Sequence, residues 1–275
     1  MIEIITKNAP GIPTVVSFWP HPREVLYGET RLRLDLPSEK TALLEPIGVK
    51  QLVLVPFDYA LAALTPKEFI DQMLIKTLKA KRIAIGENFR FGRKREGDAY
   101  TLQKIAEASG IEVSIAPILE DGEGRMSSSR IRSALNKGDL ETAKKLMGRP
   151  YRFQGRVVSG KGLGRKLGWP TANLQINGRK FLPGLGVYAV RVWKSDCTHP
   201  FSAVMNLGTQ PTVDPNSPSA VEVHLLDQDV DLVDSELIVE PIQRLRSQRR
   251  FASLDELSTQ IELDSQSART ILKDI

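Results

Sequence analysis

The first half of the chain alternates short apolar runs with segments that carry apolar residues at helical spacing. The runs are rich in β-branched and aliphatic residues and predict strands at 14–18, 51–56, 82–86 and 111–116. The helical segments lie at 38–47, 65–78 and 99–109, and two short helices are predicted over 128–148. Ser38 and Thr65 are expected to cap the first two helices. This alternation predicts an α/β domain with an open parallel sheet covered by helices.

The pattern changes after Pro150, where short strands separated by Gly, Pro and Asn follow one another. They are predicted at 151–158, 170–175, 187–193, 201–206, 220–226 and 236–242. A last helix is expected to start at the capping box Ser253-Leu254-Asp255-Glu256. Several short strands at this spacing predict a small barrel or sandwich. We therefore expect two domains, one α/β domain over 1–148 and one all-β domain over 149–275.

Composition and charge narrow the class of protein. The 275 residues are enough for two domains that each bury their own core. No apolar run is long enough to span a bilayer, nothing at the start resembles a signal peptide, and Cys197 is the only cysteine. Together these features predict a cytoplasmic enzyme without a disulfide or a cysteine-bound metal. The net charge of +5 fits an anionic small molecule and, taken alone, would also fit nucleic acid.

The most informative segment is a basic, glycine-spaced loop that leads into a predicted strand. The loop is Gly160-Lys161-Gly162-Leu163-Gly164-Arg165, and glycines of this kind let backbone amides approach an anion closely. In the following Pro170-Thr171-Ala172-Asn173, Thr171 and Asn173 alternate and project to one side of the strand. Their hard oxygens beside a loop that can cradle a phosphate favour a Mg-nucleotide site. The alternatives are an ordinary glycine-rich turn and two side chains that only bond a strand end. The segment 152–194 also contains nine Lys or Arg and no acidic residue, which suits a polyphosphate.

A single carboxylate stands out in the fifth predicted strand of the β domain. Glu222 alternates with Val221 and Val223, so it points away from the apolar face and shares its own face with His224. Such a residue can be an ordinary outward-facing strand residue or the acidic member of a site built on the strand. For His224 we expect packing or a hydrogen bond near Glu222 rather than a catalytic role.

Taken together, these motifs resemble the bacterial bifunctional riboflavin kinase/FMN adenylyltransferase family over nearly the whole chain. In the second half the resemblance rests on the loop, the Pro-Thr-Ala-Asn segment and five further motifs: Gly186-Val187-Tyr188, Asn206-Leu207-Gly208, Val221-Glu222-Val223-His224-Leu225, Leu245-Arg246 and Phe251-Ala252-Ser253. In the first half it rests on Phe18-Trp19-Pro20-His21-Pro22, Gly86-Glu87-Asn88-Phe89-Arg90-Phe91-Gly92 and Ser127-Ser128-Ser129-Arg130-Ile131-Arg132. The resemblance implies an incomplete Rossmann-like nucleotidyltransferase domain, followed by a six-stranded riboflavin kinase β-barrel with a C-terminal helix.

The resemblance also implies an ATP:riboflavin 5′-phosphotransferase that produces FMN. Glu222 would be the catalytic base, and Thr171 and Asn173 would hold Mg²⁺ or a similar divalent ion. The residues implied in nucleotide binding are Gly160, Lys161, Gly162, Gly164, Arg165 and Pro170. The residues implied in flavin binding are Arg246, Phe251 and Ser253. The chain departs from the family at Gln248, where a glutamate is usual, which leaves the electrostatics of this flavin flap open.

The adenylyltransferase half lacks the His-x-Gly-His turn that the family places at a helix N-terminus. The only histidines are His21, His199 and His224, and none lies in such a motif. The residues of the adenylyltransferase pattern that survive are His21, Asn88, Phe89, Ser128, Ser129 and Arg132. We expect FMN adenylylation to be absent or weak, in an N-terminal domain that is damaged, repurposed or truncated. His21 is expected to be structural, and the serine-arginine run is equally a helix cap or a vestigial phosphate site.

Two other functions compete with a kinase. One is a non-catalytic flavin- or nucleotide-binding descendant of the bifunctional enzyme, against which the joint presence of Thr171, Asn173 and Glu222 argues. The other is a β-barrel that binds nucleic acid, which normally needs aromatic residues interleaved with the positive charge. The aromatic residues near the basic segment are not spaced as a stacking face. We expect ATP and riboflavin as partners, and neither nucleic acid nor a membrane; the oligomeric state is left open.

Overall fold

The chain folds into two compact units. The computed structural model describes residues 2–7, 11–159, 168–194, 197–208, 221–228 and 230–273. The first unit consists of Met1–Arg31 and Leu36–Met126, and the second of Leu32–Asp35 and Ser127–Ile275. Among the described residues, no helix combines the length and the apolar character needed to cross a membrane.

The first unit is an α/β structure. Its helices are α1 (Ile2–Thr6), α2 (Pro22–Tyr27), α3 (Pro37–Leu44), α4 (Tyr59–Ala63), α5 (Pro66–Phe69) and α6 (Ala99–Glu107). A π-helical stretch over Ile70–Thr77 continues α5, and 3-10 turns lie at Glu45–Ile47 and Arg93–Arg95. Its strands are β1 (Thr14–Trp19), β2 (Gln51–Pro56), β3 (Arg82–Gly86), β4 (Arg90–Phe91), β5 (Gly97–Asp98), β6 (Glu112–Ala116), β7 (Glu120–Asp121) and β8 (Gly124–Arg125).

Most helix starts follow the sequence signals, but one does not. Thr65 and Glu68 form the expected capping box, in which the Thr65 side chain accepts from the Glu68 amide and the Glu68 carboxylate accepts from the Thr65 amide. In α3 the N-cap is Leu36 rather than Ser38, and the Glu39 carboxylate accepts from the Leu36 amide at 2.7 Å. The helix starts earlier because Pro37 occupies its first position, where the fixed φ of proline suits a helix.

The parallel strands of the first unit form two separate pairs within the described residues. β1 pairs with β2 and β3 pairs with β6, both in parallel register. An apolar cavity of about 450 Å³ is lined by residues of both β1 and β3, including Val16, Phe18 and Ile83. The predicted parallel pairing is therefore present, whereas the described part of the chain contains no continuous sheet that joins β1 to β3. This arrangement agrees with the incomplete Rossmann-like domain expected from the sequence.

The second unit contains a closed antiparallel barrel. Its helices are α7 (Ser128–Lys137), α8 (Leu140–Met147) and α9 (Leu254–Lys273). Its strands are β9 (Phe153–Val158), β10 (Ala172–Ile176), β11 (Gly186–Lys194), β12 (Phe201–Leu207), β13 (Val221–Leu225) and β14 (Glu236–Arg246). Within the described residues the barrel closes in the order β10-β13-β12-β11-β14-β9, which confirms the predicted six-stranded barrel with a C-terminal helix.

Two apolar clusters fix which side of each barrel strand faces inward. The interior holds alternate residues from every strand, for example Phe153, Leu174 and Met205, all of which are fully buried. On the outer surface, Val204 and other residues of β11 and β12 pack against α9, where Ala268 is buried. Because side chains alternate along a strand, the remaining outward positions of β10, β12 and β13 can carry polar chemistry without interrupting the core.

Helices α7 and α8 belong to the second unit by their contacts. Ala134 and Leu135 of α7 and Leu140 and Ala143 of α8 join the apolar cluster of the barrel. The contact boundary therefore lies between Met126 and Ser127. Our division into domains at residue 148 follows the change in sequence pattern, and it stays a prediction.

Candidate active site

A row of polar side chains crosses three neighbouring strands on the outer face of the barrel. Asn173 of β10 lies directly opposite Glu222 of β13, and Glu222 lies directly opposite Asn206 of β12. All three are half-buried, and each alternates with residues of the barrel interior. Residues directly opposite one another have Cβ atoms about 5 Å apart, so the Glu222 carboxylate is flanked by two amide side chains. We call Asn173, Glu222 and Asn206 the polar row.

The local sequence explains why Glu222 faces outward. Val221, Val223 and Leu225 are buried in the barrel interior, so the pleat turns Glu222 and His224 to the other side. A shift of the register by one residue would bury the carboxylate in the apolar core, which is strongly unfavourable. The alternation expected from the sequence is therefore present, and the strand pairing brings Glu222 next to the predicted metal ligand Asn173.

His224 fixes the start of the Pro-Thr-Ala-Asn segment. Its Nδ1 lies 2.8 Å from the carbonyl oxygen of Pro170, and its ring meets Trp169 edge-on with centroids 5.2 Å apart. Because a carbonyl oxygen only accepts, Nδ1 must carry the proton and donate. The histidine thus holds the backbone that immediately precedes Thr171, and the partner of its hydrogen bond, the Pro170 carbonyl, is one that the sequence did not predict.

Gln248 holds the other end of the polar row. Its Nε2 donates to Oδ1 of Asn206 at 2.7 Å and to the carbonyl oxygen of Leu207 at 2.9 Å. The sequence does not predict this contact, because Gln248 and Asn206 are 42 residues apart and meet only through the barrel pairing. The signal that could have pointed to Asn206 is the Asn206-Leu207-Gly208 motif, which the family resemblance already contains.

Arg246 is tied to the C-terminal helix. Its Nε and Nη2 bond the carboxylate of Asp264 at 2.8–3.0 Å, and Asp264 is buried with a side chain that is 6% exposed. Gln260 of the same helix also donates to Asp264, at 2.8 Å. In addition, Arg246 lies opposite Val187 of β11, whose other neighbour is Asn206. The residue therefore fixes the strand end next to the polar row, and its contact with a flavin stays a prediction.

The two other residues expected to bind flavin follow β14. The centre of the Phe251 ring lies 5.6 Å from the guanidinium of Arg246 and 4.7 Å from that of Arg249. Ser253 caps α9, because its Oγ accepts from the amide of Glu256 at 3.1 Å. The predicted capping function of Ser253 is present, and its role in flavin binding remains a prediction.

The oxygen ligands expected for a divalent ion lie at the start of β10. Asn173 is half-buried and faces outward from β10, and Thr171 is exposed one residue before the strand begins. Within the described part of the chain, no hydrogen bond occupies the Thr171 hydroxyl or the Asn173 amide. A hydroxyl and an amide oxygen are ligands that suit Mg²⁺. The predicted loop residues Gly160, Lys161, Gly162, Gly164 and Arg165 lie outside the described residues, and Pro170 is the described member of that set.

In the first unit, the residues of the adenylyltransferase pattern have structural contacts. His21 is the N-cap of α2, where its Nδ1 accepts from the amide of Arg23 at 3.1 Å and its own amide donates to Glu24. The Asn88 side-chain amide lies 2.9 Å from the guanidinium of Arg125, and because a guanidinium only donates, the amide oxygen is assigned to that side. Phe89 stacks on Phe91 with centroids 5.5 Å apart. The expected structural role of His21 is therefore present.

The serine-arginine run belongs to the second unit and begins α7. Ser127 is the N-cap and accepts from the amide of Arg130, while Ser128 and Ser129 form the first turn. Arg132 donates to the carbonyl oxygens of Ser128 and Leu32, each at 3.2 Å. The helix-cap alternative thus has a direct contact in the structure, and the vestigial phosphate role stays a prediction.

Relatives of established families match both halves of the chain. The riboflavin kinase family matches residues 147–272, and the FAD synthetase family matches residues 4–130. The bifunctional riboflavin kinase/FMN adenylyltransferase of Escherichia coli K12 is 40% identical over 264 residues, which cover 96% of this chain and 83% of the relative. The protein of the same name from Bacillus subtilis is 35% identical over 92% of this chain and 80% of its own length.

A solved structure is also similar over most of the chain. A macrolide-efflux protein from Streptococcus pneumoniae superposes with a TM-score of 0.81 at 32% identity, covering 93% of this chain and 83% of that structure. The matches to both family patterns and the identity along almost the whole chain agree with the motifs and with the barrel that carries the polar row. The chain therefore belongs to the bifunctional riboflavin kinase/FMN adenylyltransferase family.

Proposed function

We propose that this chain transfers the γ-phosphate of ATP to the 5′-hydroxyl of riboflavin and so produces FMN. The observation that carries the proposal is the pairing of Glu222 with Asn173 in direct register on the outer face of the barrel. One residue of the pair can accept a proton and the other can hold a divalent ion. We also propose that the reaction takes place in the cytoplasm, as the sequence predicts.

Phosphoryl transfer requires little covalent chemistry of the protein, since it depends mainly on positioning the reactants and on neutralising their charge. The Glu222 carboxylate would accept the proton of the 5′-hydroxyl as the hydroxyl oxygen forms its bond to the γ-phosphorus. The bond between that phosphorus and the β,γ-bridging oxygen breaks, and ADP leaves with the electron pair. A carboxylate can act in this way when it lies within hydrogen-bond reach of the hydroxyl.

A bound Mg²⁺ would neutralise charge on the ATP phosphates, and the residues that would hold it are Thr171 and Asn173. Both offer a hard oxygen, Asn173 on the outer face of β10 and Thr171 at the exposed position just before that strand. His224 would support this arrangement because it holds the Pro170 carbonyl one residue before Thr171. The loop at 160–165 remains the proposed phosphate-binding segment.

Glu222→Gln tests the proposed role of the carboxylate. The amide keeps the size of the side chain but cannot take the proton, so we expect kcat to fall by about 100-fold or more while riboflavin affinity stays near the wild-type value. Formation of FMN and binding of riboflavin would be measured on the same preparations. Glu236→Gln, at an exposed position of β14, is the matched control and should leave both unchanged.

The outcomes separate the kinase from its alternative. Full turnover of Glu222→Gln would exclude the proposed base. If the wild-type chain binds riboflavin and ATP but forms no FMN under any condition, the chain is a non-catalytic binding protein.

We also propose that this chain has weak or no FMN adenylyltransferase activity. Its sequence contains no His-x-Gly-His motif, and the histidine in its first half, His21, is engaged as a helix cap. A phosphate site at a helix N-terminus normally combines backbone amides with nearby cationic groups. Incubation with FMN and ATP should therefore give little FAD, and turnover equal to that of the Escherichia coli relative would refute this.

A further inference from the structure

The Gln248 side chain makes two hydrogen bonds that only an amide nitrogen can make. Both of its partners, Oδ1 of Asn206 and the carbonyl oxygen of Leu207, are acceptors, at 2.7 and 2.9 Å. The two protons of one NH₂ group match these two acceptors. A carboxylate at this position would have no proton to give and would face two oxygen atoms instead.

This contact determines the orientation of the Asn206 amide. An asparagine amide has one oxygen and one NH₂ group on opposite sides. Since the oxygen is bound by Gln248, the two N–H donors of Asn206 are left for the other side of the group. On that side of Asn206 the directly paired residue is Glu222, the proposed base.

We propose that Gln248 is a positioning residue of the riboflavin kinase site, which acts by fixing Asn206 with its N–H donors presented beside Glu222. An N–H donor there can hold the carboxylate, or the hydroxyl oxygen of the substrate, in the orientation that proton transfer requires. This inference rests on the proposed kinase function. A glutamate at this position could only accept from the Asn206 amide, so the orientation described here belongs to a chain with glutamine at position 248.

A double-mutant cycle tests the proposal. Gln248→Leu removes both hydrogen bonds. We expect kcat for FMN formation to fall roughly three- to tenfold, which corresponds to the net free energy of about one neutral hydrogen bond. The KM for ATP should change by less than about twofold, since the contact lies on the side of Asn206 away from Asn173. In an Asn206→Ala background the same Gln248 substitution should cost less than about twofold, because its target is gone.

Gln248→Met provides a second variant that keeps much of the length of the side chain but has no N–H donors, so kcat should fall to about the same extent as in Gln248→Leu. Gln266→Leu removes an exposed hydrogen bond of the same kind on α9, between Gln266 and Glu262 at 2.9 Å, and serves as the matched control. Thermal unfolding of every variant separates a loss of fold from a loss of positioning.

The possible outcomes are distinct. Non-additive losses in kcat, with unfolding temperatures near that of the wild type, support the proposal. Equal losses from Gln248→Leu in both backgrounds, or wild-type kcat for both Gln248 variants, refute it. If the wild-type chain itself forms no FMN, the proposed function fails before the positioning role is tested.

Discussion

Glu222 differs in its neighbours from two other carboxylates of the second unit, Glu240 of β14 and Asp264 of α9. It is flanked by Asn173 and Asn206, whereas Glu240 pairs with Arg152 and Asp264 with Arg246. A carboxylate bound to a guanidinium is held as the charged acceptor of that partner. Amide neighbours can orient a carboxylate by hydrogen bonds without neutralising its negative charge. This environment is consistent with a group that accepts a proton from a substrate.

His224 offers a further test at the residue scale. His224→Ala removes the hydrogen bond to the Pro170 carbonyl, so the segment that carries Thr171 and Asn173 should be held less firmly. We expect the KM for ATP to rise about three- to tenfold with a smaller change in kcat, the effect of losing about one hydrogen bond. Steady-state kinetics at varied ATP concentration measures this.

The control keeps the donor and removes the ring. His224→Asn places an N–H near the position of Nδ1 and should recover much of the ATP affinity. An alanine variant with unchanged kinetics would show that His224 has no part in the site.

The sequence predicted the residues of the polar row unevenly, for a physical reason. Alternation along single strands, which is a local property of the chain, predicts that Glu222 and Asn173 face outward, and the family resemblance implies their roles. The contact between Gln248 and Asn206, and the hydrogen bond of His224, depend on which strands are neighbours in the barrel. That register is set by the closure of the whole barrel, and no local pattern of the sequence contains it.

At the scale of elements, one ion pair joins the barrel to its C-terminal helix. Arg246 ends β14 and Asp264 lies buried in α9, so the pair fixes the helix against the outer face that also carries Val187 and Val204. Replacing one member of a buried pair leaves the other without its partner, which is more costly than losing an exposed pair.

Asp264→Asn should therefore destabilise the protein. The asparagine keeps one acceptor oxygen and Arg246 is 20% exposed, so we expect a loss of about 2 kcal/mol in the free energy of unfolding. Chemical denaturation monitored by circular dichroism measures it. Asp255→Asn, at an exposed position of the same helix, should change the stability by less than about 0.5 kcal/mol. Equal effects of the two substitutions would contradict the structural role of the pair.

In the first unit, the cap of α6 should depend on pH. The backbone amide of Thr101 donates to Asp98 at 2.8 Å, and this hydrogen bond lowers the pKa of the Asp98 carboxyl below its usual value of 3.8. Because the folded state lowers the pKa, the stabilisation is present above pH 4 and is lost as the pH falls through the folded-state pKa.

Asp98→Ala tests this dependence. The difference in melting temperature between the wild type and this variant should be largest near neutral pH and should shrink as the pH falls below 4. A difference that does not change with pH would show that the contribution of Asp98 does not depend on its charge.

Element prediction succeeded best where the pattern was strong and local. Strands β2 and β3 have the predicted bounds, and Thr65 begins its helix as expected. The prediction that Ser38 caps α3 was wrong, because the preceding Pro37 determines where the helix starts. The sequence predicted parallel strands in an incomplete domain but not which strands pair. The separate β1–β2 and β3–β6 pairs could not be read from it, because pairing between distant strands is a property of the folded domain.

At the scale of the whole molecule, the second unit contains all described residues of the proposed kinase site. The polar row, His224, Gln248 and the Arg246–Asp264 pair belong to the barrel and to α9. The first unit carries the FAD synthetase match, with an apolar cavity lined by β1 and β3. The two halves thus lead to separate expectations, kinase activity for one and weak or absent adenylylation for the other.

The most direct test of the central claim is a product assay with the wild-type chain. The protein is incubated with ATP, Mg²⁺ and riboflavin, and the flavins are separated by chromatography. We predict that FMN accumulates, with little or no FAD. FAD in amounts comparable to FMN would contradict the proposal for the first unit and leave the kinase intact. Failure to form FMN, although riboflavin binds, would contradict the central claim.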